Sequence, residues 1–359
     1  MVRVGIILSG QQTFLFPASL LKTKLLPALK YIVGLGIGAG LLILTFRNID
    51  LDQAMLSLKQ ANFVFVAASL GVSLLSHFLR AVRWKMLLKP AGYATDTLNT
   101  FASVMVGYMA NNAVPRLGEV SRCSMLLKSD RVPFSVALGT VVLERVIDVV
   151  VMMGFIGLVF LLEYDRLMQI VAETMGAQTG SSNSNRYILL GLLALTGLMM
   201  FWFLRKYYSR IKANPIAGKV LGFLEGLWTS VLGILKLRNP GTFIALTVLI
   251  WICYIAQYYV CFYALPDTSG LDFYFAMMVM ILGGIGIVLP VPGGVGAFHF
   301  FCQLTFIVFG YSQQTGAGYA LLIHTSQYLM LIAVGALAYL FLVIRPVRNA
   351  EIEAHGSVS

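Results

Sequence analysis

Three ionisable residues, Glu144, Arg145 and Asp148, stand inside the apolar run VPFSVALGTVVLERVIDVVVMMGFIGLVFLL at 132–162, where no other charge intervenes. On insertion scales each charge at bilayer depth costs about 3 kcal/mol, so three cost about 9 kcal/mol if nothing offsets them. Helical spacing supplies part of the remedy. Glu144 and Asp148 share a face at i,i+4, and Arg145 reaches Asp148 at i,i+3. At about 1.5 Å per residue from Pro133 the trio falls near the middle of a roughly 30 Å hydrocarbon core. The expectation is a binding or transport site at the midplane. The alternative is a structural ion cluster that glues helices together.

A second set of polar residues surrounds a break in apolar sequence: Asn111, Asn112, Pro115, Arg116, Gly118, Glu119, Ser121 and Arg122, in NNAVPRLGEVSR. Arg116 and Glu119 are spaced to pair with each other across Gly118, which would leave Arg122 free for an anionic group. Upstream, HFLRAVRWKMLLKP carries Arg80, Arg83 and Trp84. Basic residues beside Trp often serve as interfacial anchors. Forked guanidinium groups also suit phosphate, and a basic pocket between helices can hold a lipid head group. Weaker candidates are His324 with Gln327, placed to face the charged helix, and a stripe of Tyr254, Gln257 and Tyr258, expected to form interhelical hydrogen bonds. Residues 216–236 read as an interfacial amphipathic helix.

The elements that must position these groups follow from composition. Of 359 residues 58% are hydrophobic and 11% charged, against roughly 25% charged in soluble domains. That predicts an all-α polytopic membrane protein. The net charge of +11 does not point to nucleic acid, because Lys and Arg gather in the short segments between apolar runs, as orientation signals do. Cys123, Cys253, Cys261 and Cys302 show no CxxC spacing, and His77, His299, His324 and His355 form no HxxxH pair. No metal centre, disulfide framework or cofactor is expected, and no GxxxxGK[ST] loop offers ATP as a direct driver.

About six full spans are predicted, at 31–46, 62–79, 133–162, 187–204, 242–265 and 317–344. Two segments broken by Pro and Gly, 98–127 and 273–312, are expected as re-entrant hairpins that return to their own side. A tail at 1–30, a membrane domain at 31–345 and a tail at 346–359 complete the division. With both tails cytoplasmic, only Arg47, Lys59, Arg166 and Arg186 of the 26 Lys and Arg fall in outer segments, a strong positive-inside bias. The broken segments also resemble each other. Residues 104–120 (VMVGYMANNAVPRLGEV) align without gaps on 279–295 (VMILGGIGIVLPVPGGV), matching Pro115 to Pro290, Gly118 to Gly293 and Val120 to Val295. The spans that follow run in opposite directions, as in an inverted repeat whose discontinuous helices meet at the midplane. Two ordinary kinked helices are the alternative.

RWKMLLKP, NNAVPRLGEVSR, ALGTVVLERVIDV and VPVPGGVGAF, in that order, resemble the flippase-like transmembrane domain of the lysylphosphatidylglycerol synthase family, over about residues 30–345. The resemblance implies lipid handling, with movement of a phospholipid or lipid-linked sugar between leaflets. It marks Arg83, Trp84, Asn111, Pro115, Arg116, Gly118, Glu119, Arg122, Glu144, Arg145, Asp148, Pro290, Pro292, Gly293, Gly294 and Gly296 as motif positions; Arg80 and Asn112 join them from the residue reading. Fused members carry a soluble aminoacyltransferase domain after the membrane part. Here only 346–359 follow Arg345, so lysyl transfer is not expected. The leading expectation is a flippase in a bacterial inner membrane, with anionic lipid as partner. The alternatives are a non-transporting scaffold for a glycosyltransferase or lipid-modifying enzyme, and an intramembrane enzyme using the carboxylates as acid and base.

Overall fold

The computed structural model describes residues 26–164 and 237–352, apart from 48, 51 and 54–57, together with scattered positions between 166 and 222. Its described helices are α1 Leu26–Phe46, α2 Phe63–Leu88, α3 Thr97–Ala113, α4 Leu117–Asp130, α5 Phe134–Leu162, α6 Pro240–Phe262, α7 Phe273–Val288, α8 Ala297–Val308 and α9 Gln313–Ile344. Among the described residues no strand occurs beyond one isolated bridge between Tyr93 and Glu351. The protein is an all-α membrane protein. Among the described residues, four helices are long and apolar enough to cross a bilayer: Phe63–Ala91, Phe134–Leu162, Pro240–Phe262 and Gln313–Ile344. Apart from isolated positions, the predicted span at 187–204, the amphipathic segment at 216–236 and most of the 1–30 tail lie outside the described residues. Two compact units divide the chain, one of Met1–Leu138 with Ala245–Ser359 and one of Gly139–Ile244.

In the first unit, both broken segments fold as helical hairpins. Their arms are too short to span: α3 and α4, with 17 and 14 residues, and α7 and α8, with 16 and 12, reach at most about 25 Å at 1.5 Å per residue. Each first arm stops at the residue before a proline, where the ring disfavours helical backbone. Val114 is extended (φ −137°, ψ 122°) before Pro115, and Leu289 (φ −60°, ψ 146°) before Pro290. Beyond the prolines the two tips diverge, and the ungapped alignment fails. Gly118 lies in the first turn of α4, whereas Gly293 sits in a separate 3-10 turn, Pro292–Gly294, with φ 58°. Pro292 starts that extra turn and delays α8 until Ala297.

The hairpins enter from opposite ends of the first unit. At one end, the backbone of the segment after α9 bonds to the base of the first hairpin. Ala94 N–H donates to Ala350 O (2.7 Å), Arg348 N–H to Ser129 O (2.8 Å) and Ala350 N–H to Asp130 O (3.0 Å). At the other end, Asn62 N–H donates to Ala264 O (2.8 Å), and Gln314 Nε2 to Asp50 O (2.8 Å). The base of the second hairpin belongs there, since Gln303 of α8 donates to Thr45 O at the end of α1 (3.0 Å). The 32-residue α9 runs from one end to the other.

Side-chain caps begin these helices as the sequence dictates: Asn62 for α2, Asp96 for α3, Asp272 for α7 and Ser312 for α9. Each oxygen satisfies an amide the first turn leaves open. Between the ends, apolar packing joins α3 to α9 through Ala102, Met105, Val106, Met330, Ala338 and Leu342. Aromatic rings of α6, α7, α8 and α9 interlock around Phe262, Phe275, Phe306 and Tyr319.

Candidate functional site

On α2 the residues Ser69, Ser73, Ser76, His77, Arg80, Arg83 and Trp84 recur every three or four positions and are all buried. One face of an apolar helix is thus polar and turned inward. Arg80 donates from Nη2 to Tyr254 Oη of α6 (2.8 Å), and its guanidinium lies 6.0 Å from the Tyr108 ring of α3. Arg83 donates to Thr247 Oγ1 (3.3 Å) and Ser69 to the Gln257 carbonyl (2.7 Å). Arg122 of α4 lays its guanidinium over the Trp84 ring at 4.8 Å. His77 packs against Tyr108 in a tilted arrangement, with centroids 4.3 Å apart. Three guanidinium groups are therefore enclosed where α2, α3, α4 and α6 converge. Helices α2, α3 and α6 contain no carboxylate, and α4 carries Glu119 three residues before Arg122.

One helical turn beyond Tyr108, Asn112 begins the junction between the two hairpin tips. Tyr328 of α9 donates to the Asn112 carbonyl (3.4 Å), and its ring lies against Gly293 of the second tip. His324, one turn before Tyr328, bonds through Nε2 to the Gly293 carbonyl (2.9 Å). Helix α1 closes the tip from the other side. Its Gly34 and Gly38, spaced i,i+4, leave no room for a Cβ against Pro290 and against Val291 and Val295. Close backbone approach of this kind is how small residues pack helices in lipid. Two amide nitrogens at this level, Asn112 Nδ2 and Gln327 Nε2, are buried without a protein acceptor.

The second unit holds the charged trio on α5. Glu144 is fully buried, while the neighbouring Val142, Val149 and Val150 are about half exposed or more. Arg145 and Asp148 meet at 3.9 Å, the outer limit of an ion pair, with side chains 40% and 13% exposed.

The family model of the lysylphosphatidylglycerol synthase TM region matches residues 31–335. The chain belongs to that family. It is similar to a UPF0104 membrane protein of Methanocaldococcus jannaschii, 26% identical over 82% of this chain and 89% of the relative. A second UPF0104 membrane protein, from Pyrococcus horikoshii, is 22% identical over 72% of this chain and 82% of its own length. No solved structure matches the chain.

This member of the synthase TM-region family brings several expected residues together and reassigns others. Arg80, Arg83 and Trp84 are interior groups, with Arg83 and Trp84 fully buried, so they are not interfacial anchors. Arg122 is not left free, since it stacks on Trp84. Arg116 is exposed at the first tip in left-handed backbone (φ 66°). Asn111 and Gly118 hold the first tip: Gly118 N–H donates to Asn111 Oδ1 (2.7 Å), and Gly118 packs on Gly107. Pro290, Pro292, Gly293, Gly294 and Gly296 shape the second tip. His324 bonds to that tip through Nε2, to the Gly293 carbonyl. Sequence motifs alone did not mark His77, Tyr108, Tyr328 or His299 as site residues. The spacing of polar residues along α2 signalled His77, but only the fold brings Tyr108 and Tyr328 to the site.

Proposed function

We propose that this protein moves a phospholipid or lipid-linked sugar between membrane leaflets. In this reading, the phosphate is held by Arg80, Arg83 and Arg122 while the acyl chains stay in the bilayer. One observation carries it: three guanidinium groups are enclosed beside the level at which two opposed hairpin tips meet. Guanidinium forks match phosphate oxygens two at a time and tolerate dehydration better than an ammonium does. Opposed broken helices at mid-depth are the arrangement transporters use for a substrate site, commonly from an inverted repeat, and we read the two hairpins as such a repeat. Glu119 would balance the cationic charge or titrate with it, and Glu144 and Asp148 are proposed to serve transport on α5 by themselves. The density of Lys and Arg near the first hairpin's base supports a cytoplasmic location for that end and for both termini. We assign the protein to a bacterial inner membrane and give it no enzymatic role of its own.

Purified protein in vesicles tests this, using a fluorescent phospholipid and a labelled polyprenyl phosphate. Acceleration of either lipid over protein-free vesicles, lost in Arg80→Ala and Arg122→Ala, is the expected result. Movement of neither lipid by protein that melts cooperatively would reject transport and leave the scaffold reading.

A further inference from the structure

Two buried histidines meet at the second hairpin's tip, and the phosphate site above does not use them. His299 of α8 and His324 of α9 lie with ring centroids 4.7 Å apart and planes at 65°. Each is bonded to the tip backbone, but in opposite senses. His299 Nδ1 accepts the Gly296 N–H (3.3 Å), so that nitrogen is bare and the ring neutral. His324 Nε2 faces a carbonyl, Gly293 O at 2.9 Å, which can only accept, so this nitrogen carries a proton. Protonation of His299 at Nδ1 would set one N–H against another. Protonation of His324 at its other nitrogen would keep the Gly293 bond and strengthen it, because a charged donor bonds more strongly than a neutral one. The two rings are too close for both to be charged, and the geometry selects His324.

Burial opposes charge on either ring, and the contacts around His324 offset part of that cost. Phe298 stacks on His324 at 5.1 Å and 22°, and Tyr258 of α6 stacks with Phe298 at 6.2 Å. A cation over an aromatic face is stabilised by the ring quadrupole. The other titratable groups nearby are Tyr328 on α9, with its ring centroid 6.1 Å from that of His324, and Cys302, one turn along α8 from His299. Phe46 of α1 packs on His299 at 6.1 Å. Helices α1, α3, α6, α7, α8 and α9 contain no Asp, Glu or Arg, and their one Lys, Lys30, is a turn before Gly34 on α1. A proton arriving here meets no competing carboxylate on these elements.

We propose that His324, paired with His299, is a proton-binding site that ties the second tip to the proton gradient. Lipid movement is then proton-linked, a statement that rests on the transport reading above. With a proton bound, His324 grips Gly293 more tightly and holds the tip against Asn112 and Tyr328; with it released, the tip is freer to separate. Gly293 is well placed for this role, because its carbonyl receives His324 while its α-carbon abuts Tyr328.

Two measurements separate the proton site from transport. The first is hydrogen exchange of residues 290–300 in nanodiscs, corrected for intrinsic rates, between pH 8 and pH 5.5. Wild type should become about fivefold more protected on acidification, as expected when a neutral hydrogen bond becomes charge-assisted. His324→Gln, which keeps a donor but cannot titrate, should show no such change, and His299→Gln should retain it. Equal pH responses in wild type and His324→Gln, or no response in wild type, would overturn the proposal whatever lipid does. The second is lipid movement in vesicles under an imposed pH gradient, with a trapped pH dye reporting proton entry. Wild type should show gradient-dependent movement with proton flux, and His324→Gln should lose both dependences. If the tip responds to pH but no lipid moves, the transport reading fails alone. If lipid moves identically with and without the gradient, the coupling fails while transport stands.

Discussion

Gly118 of α4 lies so close to Gly107 of α3 that a Cβ on Gly118 would run into the Gly107 carbonyl oxygen. This contact lets the two arms of the first hairpin close, and it brings the Gly118 amide onto Asn111. Gly118→Ala should destabilise the fold by about 1–3 kcal/mol, the usual cost of overpacking. Gly296→Ala should cost more, because its φ of 85° is left-handed as well as crowded by Gly38. Thermal melting in detergent checks both, and a Gly118→Ala protein as stable as wild type would contradict the contact.

Stacking of Arg122 on Trp84 separates charge from shape. Arg122→Lys keeps the cation but loses the flat, forked surface that lies on the indole. It should retain cooperative melting and lose most lipid movement. Trp84→Ala should cost about 3–5 kcal/mol, as for other large buried rings. Lipid movement at the wild-type rate in Arg122→Lys would remove that residue from the site.

Burial on α5 shifts the weight of the charged trio from Arg145 to Glu144. Glu144→Gln preserves shape while removing a charge, and should abolish transport with the fold retained. Arg145→Leu, by losing the Asp148 partner, should lose folding yield or transport, since a carboxylate stranded at this depth costs several kcal/mol or takes up a proton. Arg145→Leu with Asp148→Leu should recover yield without transport. Normal transport by that double variant would exclude the trio from function.

Asp96 ties the C-terminal segment to the first hairpin. Its Oδ1 accepts from Arg345 (2.8 Å), Arg348 lies 3.8 Å from Oδ2, and its carboxylate caps α3. Burial acts to raise its pKa, but the amides of Asn99 and Leu98 and the Arg345 guanidinium outweigh it and hold the carboxyl below its usual range. A carboxyl depressed in the folded state contributes stability that is complete above the ordinary value of about 3.9 and fades as pH falls through the folded one. Residues 345–352 should therefore become protease-sensitive only in strong acid. Asp96→Asn or Arg345→Ala should release them near neutral pH, and unchanged digestion of both variants would count against the tie.

The four native cysteines are buried, so single introduced cysteines can report orientation. Gly270→Cys, in the exposed turn before α7, should label from outside intact cells. Lys128→Cys, exposed near the base of the first hairpin, should label only after permeabilisation. The reverse pattern would invert the proposed topology and the direction assigned to both hairpins.

Much of this protein was legible in the sequence because lipid permits few solutions. A chain so apolar must satisfy its backbone within helices, so the long spans among the described residues and their approximate bounds follow from hydropathy. The prolines at 115 and 290 fixed where two helices stop, since the residue before each is driven out of helical backbone. Tertiary structure decided what the breaks do. Pro292 starts a turn that the first hairpin lacks, and no alignment of common membrane residues could reveal it. Whether Arg83 anchors at an interface or lies buried depends on which helix covers that face of α2, and hydropathy does not record partners. The same holds for Gly34 and Gly38, which read as ordinary small residues until the second tip packs on them. His324 illustrates the limit best: its depth could be counted from the sequence, but its bond to Gly293 exists only because a hairpin from elsewhere in the chain ends beside it.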